Sequence, residues 1–124
     1  MSADSIVSHY THEEPIDRVL ASLRAAGFNL DALQPHDLSG VDEFHLGGRL
    51  ATTELLKSVK LTAPSRLLDV GCGIGGAART IAAATGCTVN GIDLTPSFVT
   101  AATQLSKLVG LTKHTTFDVA TALD

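Results

Sequence analysis

Apolar positions follow two different rhythms on either side of Arg66. Upstream, Ile16, Val19, Leu20 and Leu23 recur at the spacing of one helical face, and Gly27 is a natural stop. Thr11 followed three residues later by Glu14 reads as a capping box, with Pro15 just inside the helix. Asn29 to Gly40 reads as a connector with one short helical turn. Val41 to Gly48 is an apolar-acidic loop ending in two glycines. A second helix is expected from about Arg49 to Val59, with Leu55, Leu56 and Val59 inward and Pro64 closing it off. Downstream of Arg66 short apolar runs alternate with longer helical patterns: a strand over Arg66–Val70, a helix over Gly76–Thr85, a strand over Cys87–Asp93, a helix over Pro96–Val109 and a strand over Thr115–Val119. Phe98, Ala101, Ala102, Leu105, Leu108 and Val109 form one stripe of the last helix, which Pro96 opens and Gly110 ends. This order implies an α/β fold, a Rossmann-like parallel sheet of three strands (βαβαβ) joined by right-handed crossovers and preceded by N-terminal helices.

The junction of the first strand and its helix is rich in glycine. Gly71 and Gly73 let the backbone turn sharply and come close to a ligand with no Cβ in the way. The helix opening near Gly75 and Gly76 offers unpaired N–H groups and a positive dipole end. About twenty residues on, the second strand ends in Asp93, a carboxylate able to accept both hydrogen bonds of a ribose diol. A nucleotide-type cofactor therefore fits the loop. Gly71, Gly73 and Gly76 also satisfy the dinucleotide pattern G-x-G-x-x-G, and Asp69 separates the two readings. An acid within an apolar strand is costly without partners. It would repel a pyrophosphate and attract the ammonium of a methionine moiety; alternatively, it caps nearby loop N–H groups. About 65 residues precede this unit, whereas dinucleotide folds usually open with it.

The stretch Leu67-Leu68-Asp69-Val70-Gly71-Cys72-Gly73-Ile74-Gly75-Gly76, followed by Gly91-Ile92-Asp93-Leu94, resembles the first motifs of the class I S-adenosylmethionine-dependent methyltransferases, within them the small-molecule group. The resemblance covers roughly Val41 to Asp124. It implies that the Gly71–Cys72–Gly73 backbone and the Asp69 region hold the amino-acid end of S-adenosylmethionine. It also implies that Asp93 takes the ribose hydroxyls and that Leu94 lies against the adenine. Phe44 to Gly48, with Thr52 and Thr53, looks like the entry region of enzymes that methylate phosphoethanolamine, sarcosine or quinone-type substrates. Where the family often carries an Asp on the adenine amino group, this chain has Thr121, with Asp118 and Asp124 nearby but offset. The family sheet has seven strands and three are expected here. Residues 1–40 are accordingly read as an N-terminal helical cap segment, and 41–124 as the N-terminal half of a Rossmann-like methyltransferase domain, apparently truncated. The far edge of strand Arg66–Val70 then invites a partner chain or self-association.

Composition narrows the function. The 124 residues are 44% hydrophobic and 18% charged with net charge −4, a globular balance without the basic clusters of a nucleic-acid binder. Lys57 and Lys60, the closest pair of cations, fit a solvated helix end. No apolar run is long enough to span a bilayer, and Met1 to Thr11 lacks signal-peptide character, so a cytoplasmic location is expected. Cys72 and Cys87 are too few for a disulfide framework and read as small, reduced and partly buried. The expected activity is methyl transfer from S-adenosylmethionine to an N, O or C nucleophile of a small molecule, this chain supplying the cofactor-binding half. No nucleic-acid or membrane partner and no metal is expected. Catalytic residues stay unassigned: His45, Tyr10, His9 and His12 are candidate bases, and His36 and His114 are expected in solvent. The alternatives are an NAD-dependent oxidoreductase and a non-catalytic cofactor-binding module.

Overall fold

The computed structural model describes residues 14–41 and 48–123, the side chains of 48–51 excepted. Tyr10, His9, His12, Thr11, His45, the Phe44–Gly47 stretch and Asp124 lie outside the described residues. Helix α1 spans Pro15–Ala25, and two short 3-10 turns, Leu30–Ala32 and Pro35–Leu38, follow it. Helix α2 spans Gly48–Leu56. Then come strand β1 (Arg66–Val70), helix α3 (Gly76–Thr85), strand β2 (Thr88–Asp93), helix α4 (Pro96–Leu108) and strand β3 (Thr115–Val119).

The strands pair in parallel in the order β1-β2-β3, with Asp69 opposite Gly91 and Gly91 opposite Phe117. Each crossover thus steps the same way across the sheet. Right-handed connections of this kind place α3 and α4 on one face. Two apolar clusters fill that side. Ala78, Ile81 and Ala82 of α3 press on Cys87 and Val89, with Leu67 and Phe117 alongside. Ile16, Val19 and Leu23 of α1 meet Ala101, Leu105 and Val109 around α4, together with Ile74, Leu33 and Leu38. The other face stays bare among the described residues. Leu68 and Val70 of β1 are each 57% exposed, and beside them Asn90 donates to Thr116 Oγ1 at 2.6 Å and to Asp118 Oδ2 at 3.1 Å.

Several expectations need correction. Helix α1 starts at Pro15 with Glu14 as its N-cap and no side-chain cap bond, so Glu14 is not the third helical residue of a capping box. Helix α2 ends at Leu56; among its described side chains Thr52 is buried and Leu56 packs half-buried on the α3 cluster as expected, whereas Leu55 and Val59 are exposed, with no strand among the described residues on that side of β1. Cys87 precedes β2 and is fully buried, and Cys72 is buried with a small residual exposure. Phe98 and Leu108 flank the α4 stripe at the limit of exposure, while Ala101, Ala102, Leu105 and Val109 are covered. His114 is half-buried, its carbonyl accepting from Val89 N at 2.8 Å, whereas His36 is exposed.

Gly91 shows how tightly the sheet is joined to the loop above it. A Cβ there would come within 2.7 Å of Phe117 Cδ1 and 2.8 Å of Cys72 Cβ. Gly91→Ala is therefore expected to destabilise the chain by about 1–3 kcal/mol, the usual scale for overpacking a core. Urea unfolding followed by circular dichroism measures it, and an unchanged midpoint would contradict this packing.

Candidate cofactor site

The site begins where β1 stops. Gly71 (φ 71°), Gly73 (φ 55°) and Gly75 (φ 87°) all lie in the left-handed region, which side chains disfavour. The N–H groups of Gly71 and Cys72 both donate to the Ile92 carbonyl, at 2.8 and 2.9 Å, which folds the loop over the end of β2. Gly75 N then donates to the Cys72 carbonyl at 3.0 Å, and Gly75 acts as N-cap of α3. The three glycines do different work. At Gly71 and Gly73 nothing stands within 4 Å of a would-be Cβ, so the backbone there is open to a ligand. At Gly75 the same position is occupied by Phe117 and Arg79, each 2.8 Å away. The backbone thus depends on the glycines at 71, 73 and 75, while Gly76 is already the first residue of α3.

Asp93, the last residue of β2, joins two loops. Its Oδ2 accepts from Gly73 N and its Oδ1 from Thr95 N, both at 2.9 Å. Each carboxylate oxygen has two lone pairs, so acceptor capacity remains on both for ligand hydroxyls. A cleft of about 480 Å³ opens beside it at the carboxyl ends of the strands, the place where open α/β sheets bind ligands. Val70, Gly71, Ile92, Asp93 and Leu94 form one wall and Ala120 to Leu123 another. Leu94 is 71% exposed, an apolar side chain held at the mouth. Thr121 lines the cleft and its hydroxyl accepts from Leu123 N at 3.2 Å. Asp118 instead joins Asn90 on the bare sheet face.

Asp69 is not part of this wall. Alternation along β1 turns it to the helical side, where it lines a second cleft of about 380 Å³ with Thr52, Leu55, Ala77 and Ile81. The structure thus brings Gly71, Asp93 and Leu94 to one cleft, attaches Gly73 to it through Asp93, and sets Asp69 across the strand. Cys72 sits between the two carboxylates. Burial first, then the negative charges of Asp69 and Asp93, push its thiol up to about 11. Among the described residues no cluster of His, Cys, Asp and Glu could hold a metal. Arg79 was not legible as a site residue, although a lone cation in an alanine-rich helix just after a glycine loop is a signal. With its pKa raised, Cys72 is expected to stay a thiol: below pH 9 its alkylation by iodoacetamide, followed by mass spectrometry, should lag far behind that of an unfolded control, and accelerate between pH 9 and 11 as the thiolate forms. Labelling as fast as the control at pH 8 would contradict this environment.

Comparison with known proteins agrees with this geometry. The family described as "Methyltransferase domain" matches residues 68–124. Methyltransferase GfsG of Streptomyces halstedii is 32% identical over 87 residues, covering 70% of this chain and 31% of the relative. Norajmaline N-methyltransferase of Rauvolfia serpentina is 39% identical over 61 residues, covering 49% of this chain and 21% of the relative. The chain thus spans a third or less of the length of these relatives. A solved geranyl diphosphate methyltransferase in complex with SAM superposes with a TM-score of 0.59 at 25% identity, over 61% of this chain and 31% of that one. Motif, parallel topology and relatives converge on the class I S-adenosylmethionine-dependent methyltransferases, whose first motifs and N-terminal βαβαβ arrangement this chain shares.

Proposed function

We propose that this chain forms the cofactor cradle of a methyltransferase that acts on a small molecule. The observation that carries this reading is the glycine loop held between two carboxylates, Asp69 on one side of β1 and Asp93 at the end of β2. Burial is the main reason the Cys72 thiol is raised, and the two carboxylates add to it, so negative charge is disfavoured at this loop. A pyrophosphate laid on that loop would meet the same repulsion, whereas a ligand carrying an ammonium and a sulfonium is attracted. The open Cβ positions at Gly71 and Gly73 and the spare lone pairs of Asp93 fit S-adenosylmethionine.

In this reading Asp93 holds the ribose hydroxyls and Leu94 packs on the adenine. The Gly71–Cys72–Gly73 backbone and Asp69 face the amino-acid end. Thr121 takes the adenine side of the cleft, a hydroxyl where the family resemblance implies a carboxylate. The bound cofactor supplies an electrophilic methyl group, transferred as its sulfonium becomes a neutral thioether. The chain's own contribution is positioning and a site that excludes water. The acceptor is read as a small molecule because relatives of that kind match this stretch, among them one named for N-methylation of norajmaline. Residues 1–40 are read as a cap over this half of the domain, and His45, Tyr10, His9 and His12 are this chain's own candidate bases for an acceptor that arrives protonated.

Among the described residues no helix is long and apolar enough to cross a membrane. With two free cysteines and no basic cluster, the reading extends to a cytoplasmic protein that binds neither nucleic acid nor membrane. Leu68 and Val70 on the bare face and edge mark where a partner chain or a second copy would pack.

Isothermal titration of the chain with S-adenosylhomocysteine and, separately, with NAD tests the cofactor. Binding of the first and none of the second is expected, and the reverse would overturn the proposal. Asp93→Ala, which leaves the Gly73 and Thr95 N–H groups unpaired as well as removing the ribose acceptor, is expected to weaken S-adenosylhomocysteine by about 1–3 kcal/mol. Unchanged affinity in a folded variant would remove Asp93 from the site.

A further inference from the structure

Among the described residues, the largest fully buried side chain is a cation. Arg79 lies on α3 with 1% of its surface exposed, in the seam between α3 and α4. A guanidinium keeps its charge in any protein environment, and burying it costs several kcal/mol unless acceptors surround it. Two of its acceptors lie on α4: Nη1 reaches the Ala102 carbonyl at 3.2 Å and Ser106 Oγ at 3.4 Å. A shorter bond goes elsewhere. Nη2 donates to the Ile74 carbonyl, inside the glycine loop, at 2.7 Å.

That carbonyl belongs to the peptide whose N–H is Gly75, and this N–H donates to the Cys72 carbonyl at 3.0 Å. A peptide is planar, so a bond at each end fixes the orientation of the whole unit. One residue earlier, Gly73 N is held by Asp93. The turn from Gly73 to Gly75 is thus gripped by an anion at Gly73 and by a cation at Ile74. The same guanidinium stands 2.8 Å from the Cβ that Gly75 lacks, so it also fills the space beneath the loop. Its bonds to Ala102 and Ser106 fasten α4, whose first turn follows Leu94 and Thr95 in the cleft wall.

We propose that Arg79 is a positioning residue for the cofactor loop, setting the Ile74–Gly75 peptide and tying both walls of the cleft to one buried charge. It touches no ligand and acts through Ile74 and α4. The inference about cofactor affinity rests on the reading of the site given above, whereas the effect on the loop can be judged in the ligand-free chain.

The test compares wild type, Arg79→Lys and Arg79→Met in the full chain. In ligand-free 1H–15N spectra, the amide resonances of Gly73 and Gly75 are expected to move in Arg79→Lys, because an ammonium cannot reach Ile74 and Ala102 together as the fork does. Affinity for S-adenosylhomocysteine is expected to fall about tenfold or more in Arg79→Met, with Arg79→Lys intermediate. Lysine-variant spectra with both amides unmoved, or affinity within twofold of wild type in a folded methionine variant, would overturn the proposal and leave Arg79 a tie between helices. If wild type binds no S-adenosylhomocysteine, the cofactor reading fails, and the ligand-free spectra still decide whether Arg79 sets the loop. If the variants do not fold, wild type decides: on titration with S-adenosylhomocysteine the Arg79 guanidinium resonances are expected to shift with those of Gly73 and Gly75, and a guanidinium unmoved while those amides shift would overturn it.

Discussion

The carboxylate of Asp93 carries more of this structure than its size suggests. It stands at the last position of the central strand and takes one backbone N–H from each of the two loops that leave the sheet there, Gly73 from the first and Thr95 from the second. Both N–H groups belong to loop backbone that would otherwise need water. With both oxygens engaged, the distance between the glycine loop and the start of α4 is set by one rigid group. The cleft forms in the gap this bridge holds open. Because each oxygen keeps a lone pair, the group that builds the site also remains able to bind in it. Loss of such a residue would be felt twice, in the shape of the site and in its contacts.

Glycine and burial cooperate with that bridge. Gly91 and Gly75 leave room for the Phe117 ring, which fills the space under the loop from the third strand. The loop is therefore supported by all three strands and by Arg79 from the helical side. Its upper surface, at Gly71 and Gly73, is left free. A loop that is rigid below and open above is suited to presenting backbone N–H groups to a ligand without rearrangement.

The one-sidedness of the sheet follows from topology. Two crossovers of the same hand, stepping in the same direction, put α3 and α4 on one face. Leu68 and Val70 have apolar side chains suited to a covered face and an inner strand, yet they are half exposed. The chain spans 31% of the length of GfsG, and the strand that would pair with the far edge of β1 is not among the described residues. Leu55 and Val59 point to the same conclusion from α2 and the turn after it: these side chains read as inward in the sequence and are exposed in the structure.

Much was legible before any coordinates. The strand and helix limits from Arg66 to Val119 differ by at most one residue from those expected, because period-two and period-3.6 patterns there are bounded by glycine and proline. The loop, its acid and the class of cofactor were legible for a related reason: a backbone that must turn and approach a ligand requires glycine, and that requirement is local. Local rules were weaker upstream, where Glu14 and Leu55 were misread. Groups brought together from distant positions have no local signature. Asp69 and Asp93 lie on different sides of one loop, Gly75 rather than Gly76 takes the left-handed turn, and Arg79 is buried against Ile74 and α4. None of these has a periodicity, since each depends on which surfaces meet across the sheet. A nucleotide-type cradle between the first strand and helix is written in the local pattern of glycines and acids; the packing of α4 and Phe117 against it selects the residues that hold that cradle in shape.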